Sequence, residues 1–211
     1  MPEQALMLRR RTVLGLLAAL PASVWASGSP GSALVTAARR QIGVTKSYDN
    51  GYHPIAYPGG DVPRSTGVCA DVVVRAARDA WGVDLQRLVH EDMARAFAIY
   101  PSHWGLSAPD SNIDHRRVPN LETYLTRQGA RIWQADHWNS GAFFPRTLAI
   151  GDILTWRCFP TGGPHIAIVS DVGAWPRIIQ NHGMGAREDF LLTAWLDAAH
   201  AQFRWRPALE R

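Results

Sequence analysis

Lysine is almost missing from this 211-residue chain. Lys46 is the only one, and arginine supplies the rest of the 22 basic side chains. After Arg11 there is no basic run. The formal charge of +4 falls to +2 once residues 1–26, with Arg9, Arg10, Arg11 and Glu3, are set aside. No basic stripe is left to hold nucleic acid, so no nucleic-acid partner is expected. The mild positive balance does suit an acidic polymer such as cell wall. Cysteine is nearly as rare: Cys69 and Cys158 allow one disulfide at most. The eight histidines show no His-Glu-x-x-His or other familiar ligand spacing. A metal-dependent hydrolase is therefore a weak rival, and no metal is expected. His90, Glu91 and Asp92 are consecutive on a predicted helix and point apart, which makes a poor metal cluster. There is no internal repeat, low-complexity tract or long linker, so residues 27–211 read as a single domain. Past residue 26 no apolar run approaches the roughly 20 residues a membrane span needs.

What is present is the balance of a globular protein, 46% hydrophobic and 19% charged, with nine tryptophans. The first 26 residues read as a signal peptide. Arg9-Arg10-Arg11 precedes the apolar stretch from Val13 to Leu20, then Pro21 and the small-residue site Val24-Trp25-Ala26. Arg10-Arg11-Thr12-Val13-Leu14 also fits a twin-arginine signal, loosely. The alternative is an N-terminal helix packed on the domain. Export implies a periplasmic or secreted protein with no stable membrane insertion after cleavage, and a monomer is expected. It also implies an oxidising compartment, where Cys69 and Cys158 could pair.

Helical patterns come first along the chain. Ser32 can cap a helix carrying Leu34, Val35, Ala38 and Ile42, ended by Gly43. A loop rich in Gly, Pro, Asp and Tyr spans Thr45 to Gly67. Cys69, Val72, Val73, Ala76 and Ala80 share one helical face, with Gly82 just past the end. Further helices are predicted from about Leu85 to Tyr100 and Leu121 to Gln128. The second half has short β-rich runs at Asp152–Trp156, His165–Ser170 and Arg177–Asn181, with a last one at Phe203–Trp205. Helices followed by strands predict an α+β fold, its N-terminal helices packed on a small antiparallel sheet.

Cys69 lies where a loop enters a helix, in Thr66-Gly67-Val68-Cys69-Ala70-Asp71. Free N–H groups at a helix N-terminus favour a thiolate and could hold an oxyanion. Gly67 would let a substrate backbone approach the sulfur. The plain alternative is a buried structural thiol. His165 opens an apolar strand after Gly162-Gly163-Pro164, where its ring could act as general base and then acid. A third group should fix its tautomer. Gln180, Asn181 and His182 are all available, and alternation puts Gln180 and His182 on one face of their strand and Asn181 on the other. Asp110 to Arg117 reads either as a carboxylate-gripping loop or, slightly better, as an internal salt-bridge network. Asp71, in the first helical turn, is taken as structural.

The order of these elements resembles the NlpC-type papain-like cysteine peptidases of bacterial cell walls. The motifs are the helix opened by Cys69, Gly151-Asp152-Ile153-Leu154-Thr155-Trp156, His165-Ile166-Ala167-Ile168-Val169 and Ile178-Ile179-Gln180. In that family a substrate-side tyrosine precedes the cysteine by about a dozen residues, a position matched by Tyr57. The chain from about residue 33 to 206 is also similar to a bacterial family named domain of unknown function 1287. The carrying stretches are Tyr57-Pro58-Gly59-Gly60-Asp61-Val62-Pro63, Gly67 to Val73, and Asn112-Ile113-Asp114-His115-Arg116-Arg117-Val118-Pro119-Asn120-Leu121. The resemblance implies a papain-like fold and a hydrolase, a peptidase or amidase acting on peptidoglycan or its peptides without a cofactor. Catalytic roles would fall to Cys69 and His165, with Gln180 or Asn181 orienting the histidine, and substrate binding to Tyr57 and Gly67. Two departures stand out. Gln180 replaces the usual histidine, which gives weight to a non-catalytic wall-binding module of the same fold, and Cys158 has no counterpart.

Overall fold

The computed structural model describes residues 29–136, 144–194 and 196–207. The predicted signal peptide lies outside them. Helices α1 (Pro30–Arg39), α2 (Cys69–Trp81), α3 (Leu85–Ala96) and α4 (Val118–Arg127) come first, with β1 (Ser47–Tyr48) and β2 (Thr66–Gly67) between α1 and α2. Strands β3 (Arg131–Gln134), β4 (Ile153–Cys158), β5 (Gly163–Asp171), β6 (Arg177–Asn181), β7 (Ala186–Phe190) and β8 (Ala198–Phe203) follow. They form one antiparallel sheet in the order β3-β8-β4-β5-β6-β7. The fold is α+β, with N-terminal helices on an antiparallel sheet. No helix among the described residues is long and apolar enough to cross a membrane.

Both faces of the sheet centre are covered. Ile153, Ile166, Ile168, Ile179 and Phe203 join α1, α2 and α4 in the main core. Leu154, Trp156, Ala167, Val169 and Ile178 face the other way, under Trp133, Phe144 and Leu191. Burial on both sides is why β4 and β5 read as continuous apolar runs rather than as alternation. Several boundaries differ from the sequence expectation. Ser29, not Ser32, caps α1: its hydroxyl accepts from the Ser32 N–H at 3.2 Å, with Pro30 in the first turn. The helix from Leu85 stops at Ala96 and tightens into a 3₁₀ turn over Phe97–Ile99. The last strand is Ala198–Phe203, not Phe203–Trp205, because pairing with β4 overrides the helical preference of its alanines.

The Gly-Asp entry to β4 is an anchoring point. Asp152 is fully buried and accepts hydrogen bonds from the Ala149 N–H, Gln202 Nε2 and Arg204 Nε, at 2.8, 2.9 and 2.8 Å. Gly151 has φ 83° and presses on Gly31 of α1 so closely that a Cβ would stand 2.4 Å from the Gly31 Cα. Gly151→Ala should therefore cost about 3 kcal/mol or more, combining a strained backbone with an overpacked contact. Gly43, with φ 78° and open space around it, isolates the backbone part. Urea unfolding of Gly43→Ala should show a loss of only about 1 kcal/mol.

Candidate active site

The Cys69 thiol sits where two strands part. Pairing of β5 with β6 runs from Asp171↔Arg177 to Ile168↔Ile179 and is not continued toward Ile166. The backbone N–H of Ile166, left without a strand partner, is directed at the Cys69 sulfur, as is the Ala70 N–H in the first turn of α2. The Tyr48 hydroxyl donates to Sγ from 3.8 Å. Cys69 is 3% exposed. Burial drives its pKa up, against the lowering effect of Tyr48, Ile166 and Ala70, while Asp71 pushes the same way as burial. The resting group is thus a thiol. The expected stabilisation by helix N–H groups is present, but desolvation outweighs it.

His165 is buried at the start of β5, one residue from the Ile166 N–H that meets the sulfur. Alternation turns its ring toward Trp156, its partner across β4, at 5.9 Å between centroids, and toward His182 at 4.7 Å. Its Nε2 lies 2.8 Å from Gln180 Oε1. The Gln180 amide nitrogen donates to Asp189 Oδ2 at 2.9 Å. With that end of the amide on a carboxylate, the oxygen faces the imidazole. Nε2 therefore carries the proton, and Nδ1 keeps the lone pair. Burial pushes the imidazole pKa down to about 4, although the Gln180 hydrogen bond works the other way. Thiol and imidazole are both neutral near pH 7, and no hydrogen bond joins them in this resting arrangement.

Gln180 and Asn181 divide their work by face. Asn181 turns toward the helices and donates to the carbonyls of Gly67 and Ser47 at 2.9 and 3.2 Å, while its oxygen accepts from the Gly183 and Gly185 N–H groups. It holds the loop before the nucleophile and does not reach His165. Gly67 is the neighbour of Tyr48 across the parallel β1–β2 bridge. A Cβ there would stand 2.8 Å from the Asp71 carboxylate, so the missing side chain makes room for that group rather than for a substrate. Tyr57 lies elsewhere, edge-on to His90 at 4.9 Å. The next turn is tied to α3, with the Gly59 N–H on Asp84 and the Gly60 N–H on Gln86. The tyrosine that reaches the sulfur is Tyr48. Sequence reading missed it because a two-residue parallel bridge leaves no periodic signal.

Asp71 and the 110–117 segment are the frame. The Asp71 carboxylate accepts from the Val68 N–H at 2.6 Å and pairs with Arg116 at 3.0 Å. Arg116 also donates to the carbonyls of Asp49 and Gly51. Arg117 pairs with Asp114 and lies over Trp104. The segment is an internal salt-bridge network, and these two arginines are committed to it. Cys69 and Cys158 are both free thiols. Cys158 lies 4.0 Å from His182 Nε2 and its pKa is pushed up to about 12, chiefly by burial.

Comparison with known proteins agrees with the motifs. A family model described as "Domain of unknown function (DUF1287)" matches residues 35–205. The chain belongs to this family. It is 46% identical over 186 residues to the "Uncharacterized protein YijF" of Escherichia coli (strain K12), covering 87% of this chain and 86% of that protein.

Two measurable consequences follow from the buried neutral groups. His115, like His165, has a pKa pushed down to about 4 by burial, and its Nδ1 lacks a partner. An unfolded chain protonates both near the ordinary 6.5. Between these values the unfolded state binds more protons, so stability falls as pH drops from about 6.5 to 4, by up to about 3 kcal/mol per histidine. Urea unfolding across that range should show a shallower pH dependence for His115→Gln than for the native chain. Cys69 should also alkylate with iodoacetamide more slowly at pH 8 than a free thiol, because its thiolate fraction is smaller.

Proposed function

We propose that this DUF1287 member is an exported cysteine hydrolase, a peptidase or amidase of papain-like type that cleaves peptide bonds in peptidoglycan. The observation that carries the reading is the hydrogen-bonded line from Asp189 through Gln180 to His165 Nε2, which assigns the ring proton to Nε2. A neutral imidazole with its Nδ1 lone pair free, one residue from the backbone N–H that meets a thiol at a helix N-terminus, is equipped as a general base.

In the proposed reaction His165 Nδ1 takes the Cys69 proton as the sulfur attacks an amide carbonyl. The imidazolium keeps its Nε2–H on Gln180. N–H groups in the first turn of α2 stabilise the oxyanion. The imidazolium then gives its proton to the departing amine, leaving an acyl-thioester. His165 next activates a water, and the acid is released with the thiol restored. In the resting structure the His165 ring lies on the Trp156 side of the sheet while Cys69 belongs to the helix-side core, so the proposed transfer requires the imidazole to turn toward the sulfur beside Ile166. A cavity of about 230 Å³ lined by Gln180, His182, Met184, Arg187 and Asp189 adjoins the imidazole side of the site, whereas a larger cleft of about 780 Å³, lined by Trp104, Glu122, Arg157 and His200, includes neither Cys69 nor His165. The wall substrate and export rest on the N-terminal Arg9-Arg10-Arg11 leader pattern and the NlpC-type motif order.

The test is digestion of peptidoglycan fragments by native, Cys69→Ser and His165→Gln proteins, with products read by mass. Native protein should yield new amine and acid ends, and each variant should lose at least about 100-fold in rate. Equal products from native and Cys69→Ser protein would remove Cys69 as nucleophile. No product from any of the three would favour the wall-binding module.

A further inference from the structure

We propose that Asp189 is a positioning residue that sets the proton of His165 through Gln180. A side-chain amide is nearly symmetric in shape, so its neighbours decide which end is oxygen. Asp189 Oδ2, 2.9 Å from Gln180, can only accept, and this selects the NH₂ end. The amide oxygen is left facing His165 Nε2 at 2.8 Å and can itself only accept. The imidazole proton is therefore fixed on Nε2 by a carboxylate that does not touch the ring. The sheet supplies the alignment. In the β6–β7 register Gln180 lies opposite Arg187, and Ile178 opposite Asp189. The period of two puts Gln180, Arg187 and Asp189 on one face. Arg187 Nε donates to Asp189 Oδ1 at 3.1 Å, holding the carboxylate with its other oxygen on Gln180.

Glutamine itself carries no charge to offer the imidazole. The negative charge stands one residue further out, and the amide transmits its direction. Asn181, next to Gln180, cannot substitute, because its side chain is committed to Gly67 and Ser47 on the opposite face. Asp189→Asn would present an NH₂ group to Gln180 while its oxygen stays with Arg187. Gln180 would turn over and donate to Nε2, and the imidazole proton would move to Nδ1. That removes the lone pair on which the proposed hydrolysis rests.

The experiment is nitrogen NMR of the histidine imidazoles in the native protein, Asp189→Asn and Asp189→Leu, with His165 identified by the signal lost in His165→Gln. The native ring should be the Nε2–H tautomer. Asp189→Asn should convert it to Nδ1–H, and Asp189→Leu should give a mixture. A native Nδ1–H ring would overturn the proposal without any variant, as would an unchanged tautomer in both variants. The kinetic readout rests on the hydrolase reading. Asp189→Asn should lower kcat about 100-fold with KM unchanged, and in a Gln180→Ala background it should cause no further loss. A further loss there would show that Asp189 does not act through Gln180. A tautomer that moves as expected in a protein that cuts no peptidoglycan would sustain the role of Asp189 and sink the hydrolase.

Discussion

The Asp71–Arg116 ion pair is the constraint around which the site is assembled. Its side chains are 3% and 2% exposed, so neither charge has water to fall back on. A buried pair contributes little net stability, but losing one partner strands the other at a cost of about 3–5 kcal/mol. The use of this pair is geometric. Asp71 caps the α2 entrance through the Val68 N–H, and Arg116 carries the remaining donors to the Asp49 and Gly51 carbonyls. One contact thus fixes the helix that presents Cys69 and the loop that presents Tyr48. Arg75, almost fully buried on the same helix, adds a second tie by pairing with Asp61 at 2.9 Å and donating to Thr45 and Val62.

Burying the sulfur and the imidazole has a chemical consequence. Charge separation before substrate arrives would cost both groups solvation that the site does not return in full, so the pair rests neutral. In the proposed reaction the proton transfer belongs to the attack itself. The N–H groups of Ile166 and Ala70 then act on a sulfur whose charge is transient, and the Tyr48 hydroxyl donates to the same atom. A site organised in this way trades resting reactivity for protection of its thiol.

The legible parts of the fold were those with a local cause. Cys69 to Gly82 could be read as a helix because its apolar face repeats at helical spacing, and β4, β5 and β6 because each is a β-rich run between glycines and prolines. Strand β7 was missed: Ala186-Arg187-Glu188-Asp189-Phe190 is a charged edge whose only apolar residues stand at its ends, and such a segment looks like a loop until a partner strand is beside it. Strand β8 was displaced because Ala198 and Ala199 carry no strand signal of their own. The same gap hid part of the site. Tyr48 reaches Cys69 through a two-residue parallel bridge, and Asp189 reaches Gln180 through an edge-strand register. Both are long-range pairings that no short window of sequence contains. Cys69 and His165 stood out because a helix start and a strand start mark them locally, and Gln180 because it lies in the next β-rich run.

The choice between Gln180 and Asn181 shows how such gaps close. Both are amides, adjacent, and able to serve an imidazole, so residue chemistry alone leaves them level. Alternation makes their tasks exclusive: whichever faces His165, the other must face the α2 entrance. Ile178 and Ile179 decide the phase, because Ile179 enters the helix-side core and Ile178 the opposite one. Asn181 then follows Ile179 to the helix side, and Gln180 follows Ile178 to the imidazole. A one-residue slip of β6 would exchange both pairs at once, burying the amide meant for His165 against Gly67 and expelling Ile179 from the core. The apolar packing of two isoleucines therefore selects the residue that orients the histidine.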